Sequence, residues 1–161
     1  MKIVVHGAGQ EVGRSCIEVI AKDNKRYLFD AGLKITPTVP EFPETVESLK
    51  TIDAAFISHI HLDHTGALPQ LYAQGLRCPI YATSVTKSML PVLLNDSWKI
   101  SRIEGFSVAY AKTDVQKVIN EVKLFPDAKI SMQEGDAIIT TFEAGHVPGA
   151  RSILLDVCGE R

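Results

Sequence analysis

The chain has 161 residues, 45% hydrophobic and 22% charged, with a net charge of −2. That length suffices for one domain with a real core, and the balance excludes both a disordered polar segment and an overall basic field that would draw in nucleic acid. No apolar run approaches the roughly 18 residues of a membrane span, and no membrane partner is expected. The opening stretch Met1-Lys2-Ile3-Val4-Val5-His6-Gly7 has too short an apolar run for a secretory signal.

The first forty residues read as a β-rich meander. Strands are expected at 2–6, 15–21 and 25–30, with Asp23-Asn24 as the second turn and antiparallel pairing throughout. Between the first two lies Gly7-Ala8-Gly9-Gln10-Glu11-Val12-Gly13-Arg14-Ser15. Its glycine spacing is not the dinucleotide fingerprint, and a strand follows it where that fingerprint needs a helix. Gly9, Gly13 and Arg14 are candidates for a loop that brings backbone close to a metal or a phosphate. The competing reading is a plain glycine-rich turn with an exposed arginine. His6 is expected to pack and not to bind metal.

Asp30 ends the third strand in Phe29-Asp30-Ala31-Gly32. It is either a turn former or a carboxylate that orients metal-bound imidazoles through their other ring nitrogen. Pro37, Pro40 and Pro43 make 34–44 a loop, and 45–50 adds a short helix.

An apolar strand at 52–57 then runs into Ser58-His59-Ile60-His61-Leu62-Asp63-His64-Thr65-Gly66. In an extended segment residues i and i+2 share a side, so His59 and His61 can reach one ion together. As the chain turns into a helix at 65–74, stopped by Gly75, Asp63 and His64 can face a second ion. Imidazole and carboxylate suit zinc, manganese or iron. Asp63 alone reads as a helix cap, but three histidines and one aspartate within six residues are poorly explained by capping.

Further elements are a strand at 79–82, a helix at 84–104 capped by Ser84 and kinked or broken at Pro91, and a helix at 113–123 with Val115, Val118, Ile119 and Val122 on one face. Strands follow at 130–133 and 137–143 about a turn at 134–136, and the last at 151–157. Before it, Ala144-Gly145-His146-Val147-Pro148-Gly149-Ala150 sets a histidine between glycines at a strand end. Taken with His59 and His61, His146 completes a three-histidine site. Cys16, Cys78 and Cys158 are odd in number and widely spaced, which favours reduced thiols and a cytoplasmic location.

The motif His59-x-His61-x-Asp63-His64, with Asp30 before it and Gly145-His146-x-x-Gly149-Ala150 after it, resembles the metallo-β-lactamase fold. Residues 7–16 and the stretch Asp63-His64-Thr65-Gly66-Ala67-Leu68-Pro69 further resemble the β-CASP RNA nucleases. That group includes the cleavage and polyadenylation specificity factor endonuclease, the Integrator endonuclease and archaeal homologues. Pro79-Ile80-Tyr81-Ala82-Thr83 and Leu93-Leu94-Asn95-Asp96 fit the same group.

The resemblance implies an α/β (α+β) chain folded as an αββα sandwich, and zinc-dependent hydrolysis of single-stranded RNA in 3′-end processing or decay. It assigns His59, His61 and His146 to one zinc, Asp63 and His64 to the second zinc and to catalysis, and Asp30 to their support. The family pattern continues beyond the strand near Cys158 to a Thr-Gly-Asp, whose aspartate bridges the metals, to a β-CASP domain and to two further histidines. This sequence stops at Arg161, and Asp156, inside a predicted strand, is a poor substitute. The expectation is therefore a single truncated domain over 1–161, the N-terminal half of the sandwich, weak or inactive alone and holding one zinc or none. Two other readings stand beside it. One is a non-enzymatic half-domain that pairs with a complementary chain or as a homo-oligomer. The other is a thioester or lactam hydrolase on the same fold.

Overall fold

The computed structural model describes residues 1–161 apart from 45, 47, 48, 126–130, 135, 136, 158 and 160, and residues 131–134 by their backbone. Alternating apolar residues build the expected meander of β1 (Lys2–Gly7), β2 (Cys16–Ile20) and β3 (Arg26–Phe29), paired antiparallel. Asn24, at φ 66°, makes the second turn, and Asp23 Oδ1 accepts the Lys25 N–H at 3.0 Å. Beyond β3 the sheet grows in parallel through β4 (Ala54–Phe56), β5 (Ile80–Ala82) and β6 (Val122–Leu124), giving six strands in chain order. A second, antiparallel sheet holds β7 (Ser131–Glu134), β8 (Ala137–Glu143) and β9 (Arg151–Val157). Residues 135 and 136 of the turn expected at 134–136, and residue 158 with its thiol, lie outside the described residues.

The pleat sorts side chains into two cores. Tyr27, Phe56 and Tyr81 face the second sheet and pack with Ile139, Leu155 and Val157. Leu28, Ala55, Ile80 and Ala82 point the other way, onto Leu68, Leu71, Leu90, Leu94, Val115 and Val118 of the helices. The layers are thus helix, sheet, sheet: three of the four layers of an αββα sandwich are present among the described residues. Phe56 is fully buried, with ring centroids 5.7 Å from Tyr81 and 5.4 Å from Phe29. Burial of such a ring stabilises by about 3 kcal/mol.

Several helices differ from expectation. The helix expected at 65–74 is two, α1 (Leu62–Thr65) and α2 (Leu68–Gln74), because Pro69 sits in a first turn and starts a helix anew. Gly75, at φ 119°, ends α2 by donating to the Leu71 and Tyr72 carbonyls. In α3 (Ser84–Ile103) the cap is Thr83, not Ser84: Thr83 Oγ1 accepts the Thr86 N–H at 3.2 Å. Pro91 lies inside α3 without ending it. Burial of Leu90 and Leu94 against the sheet outweighs the lost hydrogen bond. The helix expected at 113–123 is α4 (Lys112–Glu121), and Val122 belongs to β6. A short 3-10 helix, Leu49–Thr51, stands near the helix expected at 45–50.

Candidate metal centre

Parallel pairing of β3 with β4 brings their carboxyl ends side by side, with Phe29 opposite Phe56. The Asp30 N–H donates to the Phe56 carbonyl at 2.9 Å, and Asp30 then turns at φ 59°. A non-glycine residue in the left-handed region is held there by its surroundings, and such positions gather at functional sites. Here the hold is visible. The Ser58 N–H donates to Asp30 Oδ1 at 2.8 Å, and the Ser58 hydroxyl donates to Oδ2 at 2.9 Å.

The segment after β4 is pinned by the Thr65 side chain and by the loop before β2. The Thr65 hydroxyl donates to the Ile60 and His61 carbonyls at 3.0 Å, and the Ser15 N–H donates to the Asp63 carbonyl at 2.8 Å. Asp63 does not cap α1. It lies within the first turn, and His61 occupies the cap position without a side-chain bond.

His146 arrives from the other sheet. The Arg151 N–H donates to the Ser58 carbonyl at 2.9 Å, and Thr83 Oγ1 donates to the Gly149 carbonyl at 3.0 Å. These two bonds seat the β8–β9 loop against the ends of β4 and β5. As a result His61 Nδ1 lies 3.1 Å from His59 Nε2 and 3.2 Å from His146 Nε2, and ligand atoms of the three rings all fall within 4.8 Å of one another. Two nitrogens bound to one tetrahedral zinc at about 2.0–2.1 Å would be about 3.3 Å apart, and the two spacings from His61 match that. His59 forms the buried floor, while His61 and His146 are exposed at the rim.

Beside this group stands a second one. His64 Nδ1–H donates to Asp30 Oδ2 at 2.7 Å, which turns Nε2 toward Asp63 Oδ2, 3.5 Å away. The ring centroids of His59 and His64 are 4.0 Å apart, so the two groups adjoin. Burial, reinforced by His64, His61 and His146 against the opposing pull of Asp30, pushes the His59 pKa down to about 4. That leaves a neutral imidazole at pH 7, the form that binds metals. Burial also works against a charged His64, but Asp30 and Asp63 outweigh it, and its pKa is raised above the ordinary imidazole value.

The other candidates fall at different distances from this centre. Gly13 lines a cavity of about 810 Å³ that adjoins His61 and Asp63. Arg14 donates to Glu11 and to the Phe42 carbonyl, so its guanidinium is taken up locally and is not the exposed group of the plain-turn reading. A Cβ on Gly9 would meet Val5 of the meander. His6 pairs with Glu18 at 2.9 Å. Asp156 accepts from Arg161 and from the Gly159 N–H. It lies roughly 16 Å along β9 from Arg151, at about 3.3 Å per residue, and so away from the cluster. Sequence reasoning missed Ser58 and Thr83. Their only signal was a hydroxyl residue directly after a strand, which is too common to single out.

The profile of the metallo-beta-lactamase superfamily domain matches residues 19–156. This chain belongs to that superfamily. Membership implies divalent metal binding, and the three-imidazole cluster is the group that fits an ion among the described residues. The chain is 38% identical to "Probable RNase MJ4" of Methanocaldococcus jannaschii, over 97% of this chain and 36% of that protein. It is 36% identical to the "Integrator complex subunit 11 homolog" of Dictyostelium discoideum, over 93% of this chain and 21% of the relative. It therefore spans about a third or less of the length of these relatives. An archaeal metallo-β-lactamase superfamily protein from Sulfolobus tokodaii shares the fold at a TM-score of 0.63 and 18% identity, over 96% of this chain and 60% of that one.

Proposed function

We propose that this chain carries the imidazole-rich part of a zinc-dependent ribonuclease centre, of the β-CASP type, that hydrolyses RNA phosphodiester bonds in RNA 3′-end processing or decay. The observation that carries the reading is the convergence of His59, His61 and His146 beside the Asp63–His64 pair. Two adjoining cation positions suit in-line displacement at a phosphodiester. The names of two of its relatives, an RNase and an Integrator subunit homologue, favour RNA as substrate.

In this reading His59, His61 and His146 hold one ion, and Asp63 and His64 contribute to the second. Zinc, when bound, supplies hydroxide near neutral pH and offsets charge developing on phosphate oxygens. The chain's own residues set the stage for it. Asp30 fixes the His64 ring, buried His59 anchors the floor, and exposed His61 and His146 border the side from which single-stranded RNA arrives. Among the described residues the second position has only Asp63 and His64. The chain by itself is thus expected to hold one zinc and to cleave weakly or not at all. The buried thiols of Cys16 and Cys78 suit a reducing cytoplasm.

Purified protein incubated with single-stranded RNA and zinc tests the reading. Weak cleavage that vanishes in His59→Ala and His146→Ala is expected. Robust cleavage by the chain alone would refute its deficiency, and equal cleavage by wild type and both variants would refute the site.

Two observations favour other readings. The cavity of about 810 Å³ beside His61 and Asp63 is walled largely by aliphatic groups such as Leu33, Ile60, Met89 and Leu93, and its Lys34 is paired with Glu11 at 2.8 Å. That lining suits a small ester or thioester as well as a nucleobase, so esters belong in the same assay. Second, β9 is hydrogen-bonded to β8 alone among the described strands, an edge on which a complementary chain or a second copy can pair. Light scattering that finds a compact monomer speaks against such pairing.

A further inference from the structure

The hydroxyl of Ser58 sits between a carboxylate and an imidazole, and its one proton goes to only one of them. Oγ is 2.9 Å from Asp30 Oδ2 and 3.0 Å from His59 Nδ1. An ionised carboxylate only accepts, and a bond to it is charge-assisted, so it claims the proton over a neutral ring nitrogen. Asp30 is held in place to receive it, because its other oxygen already accepts the Ser58 N–H at 2.8 Å.

With its proton on the Asp30 side, Oγ offers His59 only lone pairs. The ring must then carry its hydrogen on Nδ1 and leave Nε2 bare. Nε2 is the atom that faces His61 Nδ1 at 3.1 Å. The opposite tautomer would point a hydrogen into the cluster and remove the lone pair a metal needs. His64 does not compete for the hydroxyl: its Nδ1 is 3.4 Å from Oγ but 2.7 Å from Asp30 Oδ2.

We propose that Ser58 is a positioning residue of the metal centre, whose hydroxyl passes the charge of Asp30 on to His59, fixes the Nδ1–H tautomer and aims a bare Nε2 at the point shared with His61 and His146. Asp30 thereby orients two imidazoles, His64 directly and His59 through Ser58. Backbone bonds keep the relay in register with the third ligand. The Ser58 carbonyl accepts the Arg151 N–H at 2.9 Å, at the start of the strand that follows the His146 loop. The inference rests on the metal-centre reading above but not on the identity of the substrate.

The test uses metal-free protein labelled with ¹⁵N in histidine, whose long-range proton–nitrogen spectra at pH 7 report each ring's tautomer. Wild type should show His59 as Nδ1–H. Ser58→Ala should populate Nε2–H, since nothing then accepts the proton on Nδ1, and Ser58→Thr should restore the wild-type pattern. Zinc affinity, measured by chelator competition, should fall about tenfold or more in Ser58→Ala and stay close to wild type in Ser58→Thr. A His59 found as Nε2–H in wild type would overturn the proposal. So would a folded Ser58→Ala that keeps both tautomer and affinity. Neither readout contains RNA, so failure of the ribonuclease reading leaves them standing. Wild-type protein that binds no zinc, with His59 still Nδ1–H, would sink the metal reading and the purpose given to the relay.

Discussion

Asp30 Oδ2 and His64 Nδ1 lie 2.7 Å apart although 34 residues separate them in the chain. The contact exists because β3 and β4 run parallel and end together, so the turn after one strand meets the loop after the other. It is also half of a fork, since the same carboxylate oxygen takes the Ser58 hydroxyl.

Asp30→Asn removes the charge from this fork while keeping its shape, and asparagine tolerates the left-handed backbone at φ 59°. The variant should fold. Its zinc affinity should drop about 10–100-fold, as when a partner of a metal ligand is lost. Chelator competition measures this, and an unchanged affinity would contradict the orienting role.

Gly32 is where the meander touches the metal loop. A Cβ there would run into the Asp63 carbonyl, with the His64 nitrogen at 2.8 Å. Gly32→Ala should therefore cost about 3 kcal/mol or more in denaturant unfolding and weaken zinc binding with it. A variant as stable as wild type would show that the two segments are not in contact.

Cys16 is fully buried, and burial, with the charges of Asp30 and Glu18, pushes its thiol up to about 12 from a model-compound value of 9.0. At pH 8 the thiol therefore stays protonated, and the thiolate is the reactive form. Native protein should resist iodoacetamide at Cys16 and react in urea, read by peptide mass. Equal rates in both states would contradict the burial.

Arg151 is buried at the start of β9, and its Nε and Nη1 have no hydrogen-bond partner among the described residues; its ion pair with exposed Glu143 is 3.9 Å long. A buried cation so weakly paired is replaced by an apolar side chain at little cost or with gain. Arg151→Met should leave Tm unchanged or raise it. A fall of several degrees would contradict the weak pairing read here.

The candidate ligands were legible because their chemistry is local. His59, His61, Asp63 and His64 lie within six residues where a strand gives way to α1, and the glycines around His146 mark a turn by composition. The meander was legible from alternation. What stayed hidden depends on tertiary context. β6 is only Val122, Lys123 and Leu124, and Val122 continues the helical stripe of Val115 and Val118, so periodicity absorbed it into the helix. Pro91 reads as a breaker, yet helix burial carries α3 past it. Thr83 and Ser84 are both good caps, and only the bond to the Thr86 N–H separates them. Ser58 gains a role solely because Asp30, distant in sequence, lies beneath it.

Zinc content per chain, by elemental analysis after dialysis, tests the three-imidazole centre most directly. The account predicts about one tightly held zinc in wild type and none in His146→Ala, whose ring enters from a separate sheet. Retention of the full wild-type zinc by folded His146→Ala would contradict it.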